Sequence, residues 1–252
     1  MKILCLIPAR MNSSRFPGKP MHIINGKPMI QHVYERCIQS PLLTEVYVAT
    51  CDFEISEHIE SIGGNSIMTS QTHERASDRC GEALGILESK GKQFDIVLMV
   101  QGDEPLVNKS MIEQSLQPIL NNKDINVVNL FSEINSLDEF NNPNTIKVAL
   151  DQKSRALYFS RMPIPTAGKS ARQVYGYKQV CIIPFRRDSL LMYINTKPTE
   201  NEIRESVDMM RILDTGGFIQ MIKTDAKTHP VDVFEDINIV KKLMEDDHDE
   251  CI

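Results

Sequence analysis

Short apolar runs recur along the first half of the chain, and segments with helical spacing separate them. Four such runs, typical of strands buried on both faces, are residues 3–7, 45–50, 66–68 and 95–100. Between the first two runs, residues 29–39 place apolar side chains on one helical face. This alternation of strand and helix predicts an α/β fold with a doubly wound, mostly parallel sheet.

The second half of the chain is richer in short strands. Residues 126–131 predict one strand, and residues 156–161 predict another that follows a turn. Residues 198–213 predict a helix with one charged stripe, formed by Glu202, Glu205, Asp208 and Arg211. A stripe of this kind is usually a solvated face with salt bridges.

A basic loop follows the first strand, which Pro8 ends. The loop carries three cations, Arg10, Arg15 and Lys19, among small polar residues such as Ser13. Fixed positive charge beside free backbone N–H groups suits a triphosphate. The loop is not a Walker loop, because the Gly-x-x-x-x-Gly-Lys-Ser/Thr pattern is absent. A solvated basic loop without a ligand is the alternative interpretation.

A carboxylate follows the most apolar run, residues 95–100. Gln101-Gly-Asp103 stands directly after it, at the carboxyl end of a predicted central strand. Ligands of doubly wound sheets bind outside these strand ends, and carboxylate oxygens suit Mg²⁺. Asp103 is therefore a candidate magnesium ligand, and a simple Gly-Asp turn is the alternative.

Composition narrows the functional classes. The chain has 252 residues, 41% of them hydrophobic and 25% charged, with a formal net charge of −6, so a general nucleic-acid binder is not expected. Six cysteines lack any Cys-x-x-Cys spacing, which fits free thiols in a reducing cytoplasm. The first apolar run is too short for a signal peptide or membrane span, so we expect no membrane association. A Rossmann dehydrogenase is disfavoured, because no Gly-x-Gly-x-x-Gly follows the first strand.

Several motifs together resemble one enzyme family. Pro-Ala-Arg-x-x-Ser-x-Arg-x-Pro-Gly-Lys-Pro (residues 8–20), Gln-Gly-Asp-Glu-Pro (residues 101–105) and Ala-Leu-Tyr-Phe-Ser-Arg-x-x-Ile-Pro, as Ala156 to Pro165, resemble the CMP-Kdo synthetases, or 3-deoxy-manno-octulosonate cytidylyltransferases. The resemblance covers nearly the whole chain. It implies a Rossmann-like nucleotidyltransferase that transfers CMP from CTP to Kdo, a 3-deoxy-2-keto acid sugar, and releases pyrophosphate. This activity serves lipopolysaccharide or surface polysaccharide synthesis.

The resemblance also implies site residues, which we group by role. Arg10, Lys19 and Asp103 are the implied catalytic residues. The implied nucleotide-binding residues are Pro8, Ala9, Arg10, Ser13, Arg15, Lys19, Ser77, Arg79 and Gln101. The implied acceptor-binding residues are Gln101, Arg161, Gln179 and Glu205. Asp103 and Asp232, both expected at strand ends, would hold Mg²⁺, which commonly takes one or two protein carboxylates.

Three of these residues have simpler interpretations from local pattern alone. Ser77 can be the N-cap of the helix that follows it. Arg161 can form a surface salt bridge, and Asp232 can cap the last helix. The resemblance also implies one nucleotidyltransferase domain over residues 1–252. Residues 138–200 would form an excursion that binds the acceptor and pairs two subunits as a homodimer.

The sequence departs from the family pattern at several positions. Arg75-Ala76 stands where the family has Ser-Gly, and Gln179 stands where the family has a histidine that touches the sugar acid. The segment between Pro165 and Tyr177 is short and carries Lys169 and Arg172. The resemblance places Arg75-Ala76 in the segment that helps hold the cytosine. The other changes lie on the acceptor side and suggest an altered acceptor, such as 8-amino-Kdo, a nonulosonic acid or a phosphonate.

A non-catalytic nucleotide-binding protein is a further alternative. The presence of both Asp103 and Asp232 argues against it, because a pocket without turnover has no need of paired metal carboxylates.

Overall fold

The computed structural model describes residues 1–13, 15–166 and 176–249. These residues form two compact units. Unit 1 contains residues 1–113 and the C-terminal part from Lys227, and unit 2 contains residues 114–226. The expectation of a single domain with an excursion over residues 138–200 stays a prediction.

Unit 1 begins with a regular alternation of strand and helix. Its strands are β1 (Ile3–Ala9), β2 (Ile23–Ile24), β3 (Lys27–Pro28), β4 (Glu45–Thr50), β5 (Ser66–Met68) and β6 (Ile96–Val100). Its helices are α1 (Met29–Cys37), α2 (Phe53–Ser61) and α3 (Ala76–Ser89), and a short 3-10 helix spans Lys19–Met21. These bounds confirm the strands and helices predicted from the first half of the sequence.

The main sheet of unit 1 is parallel. Its strands lie in the order β6-β1-β4-β5, and the register pairs Leu4 with Val97 on one side and with Glu45 on the other. Every residue of β1 and of β6 is buried, as the uninterrupted apolar runs predict. The mostly parallel α/β fold class is therefore confirmed.

Unit 2 combines short strands with short helices. Helix α4 (Lys109–Asn121) leads into it, and a second sheet follows. The strands within residues 114–226 are β7 (Val128–Glu133), β8 (Lys147–Leu150), β9 (Ala156–Ser160), β10 (Tyr177–Val180), β11 (Ile182–Arg186) and β12 (Gln220–Lys223), and all of them except β11 belong to this second sheet. The helices are α5 (Leu137–Asn141), α6 (Arg187–Asn195), α7 (Glu200–Glu205) and α8 (Met210–Asp214); α9 (Asp236–Asp249) belongs to unit 1.

The sheet of unit 2 is mixed. Its order is β12-β7-β10-β8-β9. Strands β12 and β7 pair in parallel, whereas the remaining neighbours are antiparallel. Ser154 adopts a left-handed conformation with φ of 55° in the turn between β8 and β9, where the sequence predicts a turn.

The prediction of one continuous helix over residues 198–213 is wrong, because a turn interrupts it. Ser206, at the end of α7, has a left-handed conformation with φ of 54°, and the chain turns before α8 begins. The four charged residues therefore do not form one solvated stripe. Glu202 is 0% and Arg211 is 2% exposed, because the turn folds the two side chains against each other as a buried ion pair.

Within the described part of the chain, no helix is long and apolar enough to cross a membrane.

Candidate functional site

The basic loop after β1 is held in place by its own backbone and by one aromatic anchor. The N–H groups of Ser13 and Gly18 both donate to the Met11 carbonyl, at 3.0 and 2.9 Å. Phe16 is buried in an apolar cluster that includes Val231. Gly18 has φ of 74°, a conformation that glycine adopts without strain, and it leads directly into the 3-10 helix at Lys19. The loop is thus a defined structure.

Lys19 lies at the centre of the site in unit 1. Its Nζ donates to Asp103 Oδ2 at 2.7 Å and to the Val231 carbonyl at 2.6 Å. Only 8% of Lys19 is exposed, so this cation is not part of a solvated loop. Asp103 lies just after β6, as the sequence predicts, and its carbonyl accepts a hydrogen bond from the Val231 N–H at 2.9 Å.

Asp232 joins the same group of charges. Its Oδ1 accepts a hydrogen bond from Arg15 Nη2 at 2.7 Å. Burial, together with the negative charge of Asp103, raises the pKa of Asp232, and the positive charges of Arg15 and Lys19 oppose this shift. Two carboxylates and two cations therefore converge between the loop after β1 and the residues that follow β6.

The expected position of Asp232 needs two corrections. It does not lie at a strand end: it lies between β12 and α9, and the backbone of the preceding Val231 attaches this segment to Asp103. It also does not cap α9. Asp236 accepts the N–H groups of Asp232 and Val233 at 2.7 and 2.9 Å, and this leaves the Asp232 carboxylate for the site.

Gly102 permits the close approach of the segment after β6 to the end of β1. A Cβ atom at this position would lie 2.9 Å from the Pro8 carbonyl oxygen and 3.3 Å from the Ala9 Cβ. The absence of a side chain therefore brings the predicted residues Pro8, Ala9, Gln101 and Asp103 together. Gln101 itself is half-buried.

Arg10 connects the loop after β1 to another segment of unit 1. Its Nη1 donates to the His73 carbonyl at 3.1 Å, and the His73 ring contacts Glu82 Oε2 at 2.5 Å. Glu82 also accepts the Ser70 N–H at 2.8 Å. The loop is thereby linked to the segment that immediately precedes α3.

Ser77 and Arg79 lie inside α3 and are buried. Arg75 occupies the N-cap position of α3, so the N-cap interpretation of Ser77 is wrong. Arg79 is 3% exposed and donates through Nη1 to Thr69 Oγ1 at 2.5 Å. Its buried Nη2 atom has no hydrogen-bond partner among the described residues, which makes it available to an acceptor atom of a ligand.

In unit 2 the structure brings Arg161 and Glu205 together. The Glu205 carboxylate accepts hydrogen bonds from the Tyr158 and Ser160 hydroxyls and from the Arg161 N–H, at 2.9 to 3.2 Å. The Arg161 guanidinium donates to the carbonyls of Pro143, Glu205 and Ser206. Arg161 therefore binds backbone carbonyls of other segments near the end of β9, and its role is more than that of one partner in a surface salt bridge.

Gln179 lies on the same sheet face as Arg161. The Gln179 N–H donates to the Ile146 carbonyl at 2.9 Å, and the register pairs Lys147 with Ser160. Gln179 is therefore opposite Ile146, and the pairing of β8 with β9, continued by one residue, places Ile146 opposite Arg161. The three residues lie in one row across β10, β8 and β9. Lys169 and Arg172, which the sequence also placed on the acceptor side, lie outside the described residues.

Lys147 is a buried cation, 0% exposed, that is not among the predicted site residues. Its Nζ donates to the carbonyls of Asn142, Thr145 and Arg161 at 2.7 to 2.8 Å. Burial, and after it the nearby Arg161 charge, lower the pKa of Lys147 from 10.5 to about 8 against the opposing charges of Glu139 and Glu205. Lysine is usually exposed, so no pattern in the sequence indicated this role.

The lowered pKa of Lys147 predicts a pH effect on stability. Below about pH 8 the lysine is protonated in both states; between about 8 and 10.5 only the unfolded chain keeps the proton. Stability contributed by Lys147 therefore rises with pH across this window, by up to about 3 kcal/mol, and is lost again as pH falls through about 8.

The measurement is urea unfolding of the parent and of Lys147→Met at pH 7, 8.5 and 10. We expect the parent to gain free energy of unfolding relative to the variant as pH rises. Lys153→Met, at an exposed position in the turn after β8, is the control and should follow the parent. Parallel pH profiles for the parent and Lys147→Met would contradict the assignment.

Comparisons with known proteins identify the family. The sequence model of the cytidylyltransferase family matches residues 4–227. The 3-deoxy-manno-octulosonate cytidylyltransferases of Geobacter metallireducens and Geotalea daltonii are 40% and 38% identical to this chain; the alignments cover 96% and 98% of it, and 98% and 99% of the relatives. The solved structure of a CMP:2-keto-3-deoxy-manno-octonic acid synthetase complexed with CTP has a TM-score of 0.87 at 36% identity, covering 98% of this chain and 100% of that one. This chain belongs to the cytidylyltransferase family, and within it to the 3-deoxy-manno-octulosonate cytidylyltransferases.

Proposed function

We propose that this protein transfers CMP from CTP to Kdo and releases pyrophosphate. The observation that carries the proposal is the convergence of Arg15, Lys19, Asp103 and Asp232 in unit 1. Cations beside paired carboxylates suit a nucleoside triphosphate and the metal ion that accompanies it. Membership of the family supports CTP as the nucleotide and Kdo as the acceptor.

In this proposal the loop after β1 binds the triphosphate. Arg10, Arg15 and Lys19 supply positive charge, and the loop places them beside its own backbone N–H groups. Ser13 and the ends of β1 and β6, with Pro8, Ala9 and Gln101, complete the nucleotide contacts. Phosphoryl transfer depends mainly on positioning and charge neutralisation, so no general base is required of the side chains.

The two carboxylates fit Mg²⁺. Within residues 1–13, 15–166 and 176–249 no cluster of three or more potential metal ligands is present. A pair of carboxylates is nevertheless a suitable protein contribution, because magnesium usually keeps waters and takes substrate phosphate oxygens as further ligands. Asp103 and Asp232 would hold the ion, which would neutralise charge on the α-phosphate.

Buried residues of α3 would recognise the base. The unpartnered Nη2 of Arg79 is a donor in a dry environment, and Ser77 is 0% exposed. Cytosine presents acceptor atoms on its pyrimidine edge, and a buried donor discriminates strongly in favour of an acceptor that satisfies it. Arg75 and Ala76, which replace the family's Ser-Gly, lie at the start of the same helix.

Within unit 2, Arg161, Gln179 and Glu205 would contact the acceptor acid, as the family resemblance implies. One hydroxyl oxygen of the acid loses its proton to water, attacks the α-phosphorus of CTP and forms a new phosphorus–oxygen bond. The bond from the α-phosphorus to the oxygen that bridges to the β-phosphate breaks, and pyrophosphate leaves. Arg10 and Lys19 stabilise the negative charge that accumulates on the triphosphate during this step.

We further propose that the protein acts as a homodimer in the cytoplasm, in lipopolysaccharide synthesis. Leu157 on β9 is 61% exposed and Met162, just after it, is 68% exposed. Large apolar side chains at a sheet edge favour burial against another protein surface. Both residues fall in the predicted excursion over residues 138–200.

The test is pyrophosphate release with Mg²⁺ and CTP, with Kdo, 8-amino-Kdo, a nonulosonic acid and simple phosphonates as acceptors. UTP and ATP are the nucleotide controls. We expect turnover with CTP and Kdo. Turnover with another acid only would redirect the proposal to that acid. CTP binding without turnover of any acid would support a non-catalytic nucleotide-binding protein instead.

A further inference from the structure

We propose that Asn129 fixes the side-chain amide of Gln179 so that Gln179 presents an acceptor oxygen to the acid substrate. Gln179 then recognises a hydrogen-bond donor of the acid, a hydroxyl or an ammonium group. The inference rests on the proposed function, since it assigns the chemistry of one acceptor contact. Asn129 is a positioning residue in this arrangement.

The orientation of Asn129 follows from its surroundings. Asn129 lies on β7 and is 0% exposed. Its Nδ2 donates to the Val180 carbonyl at 2.7 Å and to the Leu130 carbonyl at 3.0 Å. A flipped amide would place Oδ1 against two carbonyl oxygens, and neither could donate a hydrogen bond. Asn129 therefore directs its Oδ1 atom away from these carbonyls and toward Gln179.

The orientation of Gln179 follows in turn. Its Nε2 donates to Asn129 Oδ1 at 2.6 Å, because an acceptor oxygen at that position requires a donor opposite it. One N–H bond of the Gln179 amide is thereby engaged, and the backbone N–H already donates to Ile146. The Oε1 atom is the end left for a ligand, and Gln179 is half-buried.

The neighbours of Gln179 sharpen its selectivity. Gln179 is paired in register with Phe131, and the rings of Phe131 and Tyr177 pack edge to face at 4.9 Å between centroids. The strand neighbour of Gln179 is therefore an apolar side chain that offers no hydrogen bond, which favours a substrate donor as the partner of the amide oxygen. A carboxylate, which only accepts hydrogen bonds, is disfavoured at the same point.

This chemistry differs from that of a histidine at the same position. A neutral histidine offers one donor and one acceptor, and its tautomer adapts to the ligand; a protonated one only donates. Glutamine held by Asn129 has its acceptor oxygen fixed on the side of the amide away from Asn129, and one of its two side-chain N–H bonds is already used. The replacement therefore changes the contact with the acid. A histidine can bind a donor or an acceptor, whereas the fixed glutamine oxygen requires a donor.

The test combines variants with modified acids. Gln179→Met removes both amide groups at similar volume, and we expect about a tenfold rise in the KM for the acid. The KM for CTP should change less than twofold. With the parent, an acid analogue that lacks the recognised hydroxyl or ammonium group should have a kcat/KM about tenfold lower than the complete acid. With Gln179→Met, the analogue and the complete acid should have the same kcat/KM. Gln152→Met, at an exposed turn position, is the matched control.

Comparison of Kdo with 8-amino-Kdo distinguishes a hydroxyl from an ammonium donor. Asn129→Ala frees the Gln179 amide to rotate and should raise the KM for the acid in the same direction. The inference is overturned if Gln179→Met lowers kcat/KM by the same factor for every modified acid, because then no donor is recognised through Gln179.

Failure of the proposed function has a separate signature, the absence of turnover with any acid. The orientation is then tested by NMR of the Gln179 side-chain NH₂ group. We expect its two proton resonances to be well separated in the parent and to converge in Asn129→Ala. Identical NH₂ resonances in both proteins would overturn the inference independently of activity.

Discussion

Asp103→Asn will lower kcat/KM for CMP transfer by about 10³-fold or more, which corresponds to roughly 4 kcal/mol of transition-state stabilisation. The substitution keeps the shape of the side chain but removes its charge. Asp103 is one of the two carboxylates proposed to hold Mg²⁺, and it accepts a hydrogen bond from the buried Lys19. Both roles depend on the negative charge.

The same substitution should change the melting temperature only slightly. Lys19 keeps its hydrogen bond to the Val231 carbonyl and the nearby charge of Asp232. Removal of the Asp103 charge also relieves the repulsion that raises the pKa of Asp232. A large loss of activity with little loss of stability separates a catalytic role from a structural one.

The measurement is steady-state pyrophosphate release together with thermal unfolding. Asp95→Asn is the matched control, because Asp95 lies just before the same strand and is exposed. It should retain activity within about twofold, as surface substitutions usually do. Activity of Asp103→Asn within tenfold of the parent would contradict the assignment.

Arg211→Met will lower the free energy of unfolding by about 3 to 5 kcal/mol, because it leaves Glu202 buried without its cation. Arg211 donates through Nη2 to Glu202 Oε1 at 2.6 Å and through Nε to Oε2 at 2.7 Å. The guanidinium also lies 3.9 Å from the centre of the Tyr193 ring. In a chain of this size the melting temperature should fall by roughly 10 °C.

The matched control is Arg204→Met on the neighbouring helix. Arg204 forms an exposed pair with Glu200, with side chains 69% and 76% exposed, and its loss should cost less than about 0.5 kcal/mol. A second variant that combines Glu202→Met with Arg211→Met should recover part of the stability, since no buried charge remains unpaired. Equal losses of unfolding free energy for Arg211→Met and Arg204→Met, measured by urea unfolding, would show that burial does not determine what each ion pair contributes to stability.

Much of unit 1 was predictable because its signals are local. Uninterrupted apolar runs predict buried parallel strands, and Asp103 directly follows one of them. Parallel strand ends meet at one edge, so the loop after β1 and the carboxylate after β6 were expected to lie together. Lys19 and Asp103 are far apart in the chain, but each lies close to the end of a strand that could be predicted.

Other parts of the site depend on contacts between distant segments. The hydrogen bond between Val231 and Asp103 holds Asp232 at the site. No periodic pattern in the sequence predicts this contact. Asp236, rather than Asp232, satisfies the backbone before α9, and two equally plausible capping residues cannot be distinguished by type. Sequence reasoning therefore identified Asp232 but not how it is held.

The sequence by itself determined the parallel α/β sheet, the cationic loop, the carboxylate after β6 and membership of the family, because each depends on residue type and local spacing. The tertiary structure alone decided the buried state of charged side chains. The sequence pattern predicts a solvated stripe for Glu202 and Arg211 and indicates nothing special for Lys147, yet all three are buried. Their burial arises because partners from other segments satisfy their charges and hydrogen bonds, and only the folded chain brings those partners within reach.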